Sequence, residues 1–203
     1  MTAVALIITA SVLGLLSFFE PCTIATHTLF SVRAHARPKP ACRRELVVLW
    51  LTRSLLVTGL LVVAVLLTPS PAWDAVLSSV ILAAMASVYV VSRFVYLPVP
   101  HLEFHRLLPG NVRLPAAVRL GLTLPACTLP LFVIVLGMAI TLDSYALALA
   151  GGLLFASLFT LPTAVAAVIG LSAAGQRFLK ASALATSYLT AGLLYAAAVY
   201  LLL

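Results

Sequence analysis

The sequence predicts an all-α integral membrane protein with six transmembrane helices, arranged as two inverted three-helix repeats. Three observations carry that expectation. The 203 residues are 64% hydrophobic and 8% charged, whereas a soluble domain runs nearer half apolar and a quarter charged. One globular core cannot hide that apolar excess, so lipid must be the solvent. The apolar residues fall in six long runs with no period-two alternation, which argues for helices over a barrel. A proline-flanked cysteine occurs in the first run and again 105 positions later in the fourth.

The first run, from about Val4 to Phe30, has no Lys or Arg ahead of it and continues past the length of a signal's apolar core. It is expected to be a retained first span. The second runs from Leu46 to Leu67, and Thr68-Pro69-Ser70-Pro71 ends it, because proline cannot continue a helix and restricts its predecessor. Trp73 fits an interfacial anchor. The third runs from Ala75 to Leu97 and stops at Pro98 and Pro100. The longest connection, His101 to Arg119, has room for a short interfacial helix, although Pro109, Gly110 and Pro115 interrupt it. The fourth, fifth and sixth runs are Ala116–Ile140, Ala146–Leu171 and Ala181–Leu203. Each run is close to or above the roughly 20 residues that span a bilayer.

Charge sets the orientation. All twelve Lys and Arg fall in or beside three alternate connections: Arg33 to Arg44 with Arg53, Arg93 to Arg119, and Arg177 with Lys180. The opposite loops carry only Asp74 and Asp143. A basic chain can bind nucleic acid, but charges confined to the ends of apolar runs are explained by the positive-inside rule. The expectation is a multi-pass protein of the cell (inner) membrane, with both termini extracytoplasmic and no nucleic-acid partner.

The 105-residue offset continues beyond the cysteines. It carries Leu46 to Gly151 inside the fifth run, and Ala75 to Lys180 where the sixth begins. Repeat 1 therefore covers about 1–97 and repeat 2 about 116–203 of a single membrane domain, with a cytoplasmic linker at about 98–115. An odd number of spans per half requires the halves to be inverted, a transporter-like design with its working site at the repeat interface.

The chemistry is expected at Glu20-Pro21-Cys22-Thr23 and Pro125-Ala126-Cys127-Thr128-Leu129-Pro130. Pro21, Pro125 and Pro130 each remove a backbone donor and open the helix locally. Freed carbonyls in lipid need neighbours or a water-lined space. Thiol–disulfide exchange needs such an opening, because the attacking thiolate must reach the sulfur. Cys22 and Cys127 therefore read as one redox pair. Straight helices would put them ~27 Å and ~16 Å from the faces at which their spans begin, at 1.5 Å per residue.

Other polar residues have bland readings beside functional ones. Glu20 costs about 2.5–3.5 kcal/mol at a helix centre, so it either serves proton or cation traffic, or pairs with Arg53 or caps freed backbone. His27 is five residues beyond Cys22, off its helical face, and reads as a polar residue near the cytoplasmic helix end, with thiol tuning or metal ligation as the functional option. Cys42, among Pro40, Arg43 and Arg44, reads as a reduced cysteine in a cytoplasmic loop. Arg53 is expected to snorkel to the inner surface. Gly59, Gly151 and Gly152 read as close-packing positions, and Pro162 as a kink.

These cysteine motifs resemble those of the CcdA family, which is similar to the membrane domain of DsbD. The resemblance covers nearly the whole chain, and its specific part is the two short motifs. It implies electron transfer from cytoplasmic thioredoxin, through Cys22 and Cys127, to an extracytoplasmic thioredoxin-like acceptor, as in cytochrome c biogenesis. Such a membrane thiol–disulfide oxidoreductase needs no metal or organic cofactor, because two thiols carry two electrons. Two rivals stand beside it. One is a small-solute or soft-metal-ion transporter on the same scaffold, using Cys22, Cys127, Glu20 and His27. The other is a membrane subunit whose cysteines are structural.

Overall fold

A computed structural model describes residues 3–67, 102–104, 114–142 and 144–202, with 80, 83–84, 86–87 and 90–91 between them. Most of the third apolar run and of the 98–115 linker lies outside the described residues. So do Trp73, Asp74, Asp143 and the proline signals at 69–71 and 98–100.

The first apolar run is two helices, not one. Helix α1 (Ala3–Phe18) ends where Pro21 restricts the residue before it, and Glu20 is extended, with φ −66° and ψ 139°. Helix α2 (Pro21–His35) then starts with proline at its first position, where a missing N–H costs nothing and the fixed φ already suits a helix. The chain bends by 73° at this break, so the straight-helix depth for Cys22 does not apply. Arg33 and His35 occupy the last turn of α2, where positive charge complements the helix dipole.

Helix α3 (Lys39–Leu67) starts well before the expected Leu46. Pro40 lies in its first turn, so the Lys39-Pro40 pair opens a helix instead of marking a loop. An exposed Arg37–Glu45 ion pair joins the end of α2 to the start of α3.

The fourth apolar run is the most broken. It comprises α4 (Ala116–Gly121), strand β2 (Thr123–Leu124), a 3-10 turn (Ala126–Thr128) and α5 (Leu129–Leu142). The linker supplies strand β1 (Leu102–Glu103), which pairs antiparallel with β2 in the register Leu102 to Leu124 and Glu103 to Thr123. The Phe104 amide also donates to the Leu122 carbonyl at 3.1 Å. The two short strands clasp the described start of the linker to the broken span, while residues 105–113, where an interfacial helix is expected, lie outside the described residues. The physical reason for the clasp is the break itself: a helix interrupted in apolar surroundings must find new partners for its backbone groups.

Helix α6 (Tyr145–Ile169) runs through Pro162, and Gly170, at φ +87°, ends it. Helix α7 (Ala173–Leu202) completes the chain and starts before the expected Ala181. The main core lies where α1, α3, α5 and α6 meet, around Leu6, Leu13, Val57, Leu61, Phe155 and Phe159. Two glycines allow that approach. A Cβ on Gly14 of α1 would lie 2.6 Å from the Phe155 carbonyl oxygen of α6, and one on Gly152 would lie 2.9 Å from the Thr58 Cα of α3. Gly151 makes only ordinary contact with Leu6, and among the described residues nothing lies within 4 Å of a Cβ on Gly59, so no close crossing is described there.

The described chain is thus overwhelmingly helical. Helices α3 and α6 are long and apolar enough to cross a membrane, and the bent pair α1–α2 makes a third candidate if it is one span.

Candidate functional site

A proline lies at both breaks, at different positions: Pro21 is the first helical residue after its cap, whereas Pro125 is itself the cap. The residues at position 20 and, 105 further on, position 125 each cap a helical turn in nearly the same backbone conformation: φ −66°, ψ 139° at Glu20 and φ −60°, ψ 142° at Pro125. Each cysteine follows two residues later, in the first turn of new helix. Cys22 and Cys127 form a disulfide, with their Cα atoms 6.9 Å apart. Both are partly buried. The straight-helix estimate of unlike depths gives way because both spans break at these residues. Pro130 sits in the first turn of α5, where it removes no helical bond. The Thr128 hydroxyl donates to the Pro125 carbonyl at 2.8 Å, closing the 3-10 turn around Cys127.

Glu20 is fully buried at the α1–α2 break. Its carboxylate accepts a hydrogen bond from the Thr190 hydroxyl of α7 at 2.8 Å, and its carbonyl accepts the Ile24 amide. The expected alternative, a Glu20–Arg53 pair, is not what forms: Arg53 is directed to α2 and α4.

Arg53 is wholly buried, so it does not snorkel. One of its nitrogens, Nη2, donates both to His27 Nε2 at 3.1 Å and to the Leu120 carbonyl at 3.0 Å. Its guanidinium carbon lies 4.1 Å from the centroid of the Phe159 ring, a cation–π contact that partly replaces lost water. The same ring stacks on His27, with centroids 5.4 Å apart at 20°. His27 is fully buried in the bundle, which corrects its expected place near the helix end. Since Arg has no acceptor, His27 Nε2 must accept, and the ring proton belongs on Nδ1, which meets the Thr163 hydroxyl of α6. The Ser31 hydroxyl closes the group by bonding to the His27 and Thr163 carbonyls.

Cys42 lies in the first turn of α3 and is 6% exposed, packed near Phe30, Ala34 and Ala167. It is a buried helical cysteine and not the expected loop thiol. His35 was not anticipated: its Nδ1 bonds the Ala167 carbonyl at 2.9 Å, and the ring lies against Gly170. Nothing in the local sequence marks this contact, because its partner is a backbone group far along the chain. Thr163 and Thr190 escaped notice for the same reason, as single hydroxyls in apolar runs.

Among the described residues no three of His, Cys, Asp and Glu come together in a way that could hold a metal ion. The arrangement offers two other features: a cysteine pair with disulfide chemistry, and a buried polar cluster of Arg53, His27 and Thr163. Comparison of the chain with protein-family models, with curated proteins and with solved structures returns no match.

Proposed function

We propose that the protein carries reducing equivalents across a membrane by thiol–disulfide exchange at Cys22 and Cys127. The observation behind this reading is their disulfide, formed between two helix starts that follow matched breaks 105 residues apart. A cysteine in the first turn of a helix faces backbone N–H groups that lack helical partners and favour a negatively charged sulfur. Exchange needs that sulfur as leaving group and as nucleophile.

The steps balance as two electrons and two protons. A thiolate of reduced cytoplasmic thioredoxin attacks one sulfur of the Cys22–Cys127 disulfide, breaking that bond, forming a mixed disulfide and releasing the other cysteine as a thiolate. Thioredoxin's second thiolate attacks the mixed disulfide, leaving thioredoxin oxidised and the pair reduced. The pair then reduces the disulfide of an extracytoplasmic thioredoxin-like acceptor by the same two displacements. The resemblance of the two motifs to those of the CcdA family supports this direction of flow. In this reading the chain has six spans in two inverted repeats, both termini are extracytoplasmic, and the 98–115 linker is cytoplasmic. The confinement of basic residues to alternate connections supports that orientation.

The test uses the full-length protein in vesicles, with reduced thioredoxin on one side and an oxidised thioredoxin-fold acceptor on the other. Cys22→Ser and Cys127→Ser are each expected to abolish acceptor reduction, while Cys42→Ser retains it. Substantial turnover in either single variant would sink the redox reading. Cysteine-dependent metal uptake without thioredoxin oxidation would favour the transporter instead.

A further inference from the structure

We propose that Arg53 is the positioning residue for the cysteine pair: through His27 and the Leu120 carbonyl it ties the helix bearing Cys22 to the broken span bearing Cys127. The inference takes from the exchange reading only the identity of the pair.

Each contact falls on a different cysteine-bearing segment. His27 is five residues beyond Cys22 on α2, and Leu120 is seven residues before Cys127, at the end of α4. Both contacts are made by the same nitrogen, so they fix the two segments relative to one another and to α3. The acceptor on α4 is in its last turn, where carbonyls lack the regular amide four residues on; the Leu120 carbonyl is met there by the capping Leu122 amide and by Arg53. The His27 end is equally constrained. Its ring is held by Thr163 on one side and lies flat on Phe159, so Nε2 faces Arg53 in one orientation.

The arrangement has a cost that asks for a reason. Arg53 Nε and Nη1 are buried without a hydrogen-bond partner among the described residues. A guanidinium held this way is poor at stabilising a fold for its own sake, and an apolar residue of similar volume serves packing better. What an apolar residue cannot do is hold two broken segments by hydrogen bonds to a ring nitrogen and a carbonyl. A disulfide forms in proportion to how well the fold holds its two sulfurs together before they join. Arg53 should therefore favour the oxidised pair.

The experiment equilibrates the purified full-length protein with graded mixtures of reduced and oxidised dithiothreitol. The Cys22–Cys127 disulfide is quantified by alkylation and mass mapping. Arg53→Gln is expected to lower the equilibrium constant for disulfide formation roughly tenfold, which is about 30 mV for a two-electron couple. Arg53→Lys should recover part of that loss, since the charge and donors remain while the fork is gone. His27→Phe keeps the ring on Phe159 and removes the acceptor, so it should shift the equilibrium in the same direction by less. Ser157→Ala removes an interhelix hydrogen bond on the outer face, from Trp50 of α3 to α6, that touches neither cysteine segment, and should leave the equilibrium as in the parent. If Arg53→Gln fails to fold, Arg53→Lys and His27→Phe carry the same test. Parental equilibria in those two variants overturn the inference while leaving the exchange reading intact. A shift in Ser157→Ala equal to theirs also overturns it, because any lost helix contact would then suffice. A parent that forms no Cys22–Cys127 disulfide overturns both.

Discussion

Burial decides what the individual polar residues can do. Cys42 illustrates this. Its neighbours Arg43 and Arg44 would activate a thiol in an open loop, but the sulfur is packed beside Phe30, Ala34 and Ala167 in the first turn of α3. Its alkylation must wait for local opening of that helix end. Maleimide labelling of the folded, oxidised protein should therefore proceed at least roughly tenfold more slowly than after denaturation. Rapid labelling of the folded protein would return Cys42 to a loop-like environment. Arg53 teaches the opposite lesson. A lone arginine a turn or two inside an apolar run can either reach the interface or turn inward, and the sequence around it is the same in both cases. The choice depends on Phe159, His27 and Leu120, which are distant in sequence, so no local pattern could have shown it.

At the scale of elements, what was legible followed proline. Pro21 holds its predecessor Glu20 extended and opens a helix, and Pro125 is itself the extended cap of the turn from Ala126, so the openings beside the cysteines are readable from composition and spacing. The two-residue strands were not, because Leu102–Glu103 and Thr123–Leu124 are too short to display any periodicity. Pro40 is ambiguous in the sequence, since proline after a polar residue suits a loop and a first helical turn alike, and the structure has the helical turn. Close helix crossings were half legible. Glycine shows where a backbone could approach but not whether one does. Gly14→Ala would put a methyl group into the Phe155 backbone and should destabilise the protein by about 1–3 kcal/mol, as overpacking does. Gly59→Ala meets nothing within 4 Å and should be neutral, or stabilising by up to about 1 kcal/mol through helix propensity. Thermal unfolding of both variants in detergent gives the comparison. Equal effects of the two substitutions would contradict the crossing at Gly14.

For the whole molecule, the central fact is that one covalent bond joins positions 105 residues apart in a chain of 203. Cross-linking so long a loop limits the unfolded chain, an effect worth up to about 5 kcal/mol in the chain-entropy account. The oxidised protein should accordingly unfold at a higher temperature than the reduced one, with Cys22→Ser matching the reduced form. A reduced protein as heat-stable as the oxidised one would mean that the bundle holds its two halves without help from the bond. The all-helical, apolar character behind this expectation was plain from composition, because no aqueous core could absorb it. The number of spans was not settled in the same way. Runs of apolar residues measure length along the chain, while a helix bent by 73° or broken by a strand covers less depth than its length implies.

That strand has a consequence of its own. Among the described residues the β1–β2 ladder is two residues long, and the Phe104 amide extends it by one bond to the Leu122 carbonyl, so Leu102–Phe104 meet the segment just before Cys127 along one short edge. A fastening this small is the kind of structure that lets go before the helices around it do. When it does, the backbone at the mouth of the 3-10 turn is left seeking new partners. A protein that docks by adding its own edge to an open sheet could supply them. Leu102–Glu103 and such a visitor would then compete for one short edge, which ends three residues before Cys127.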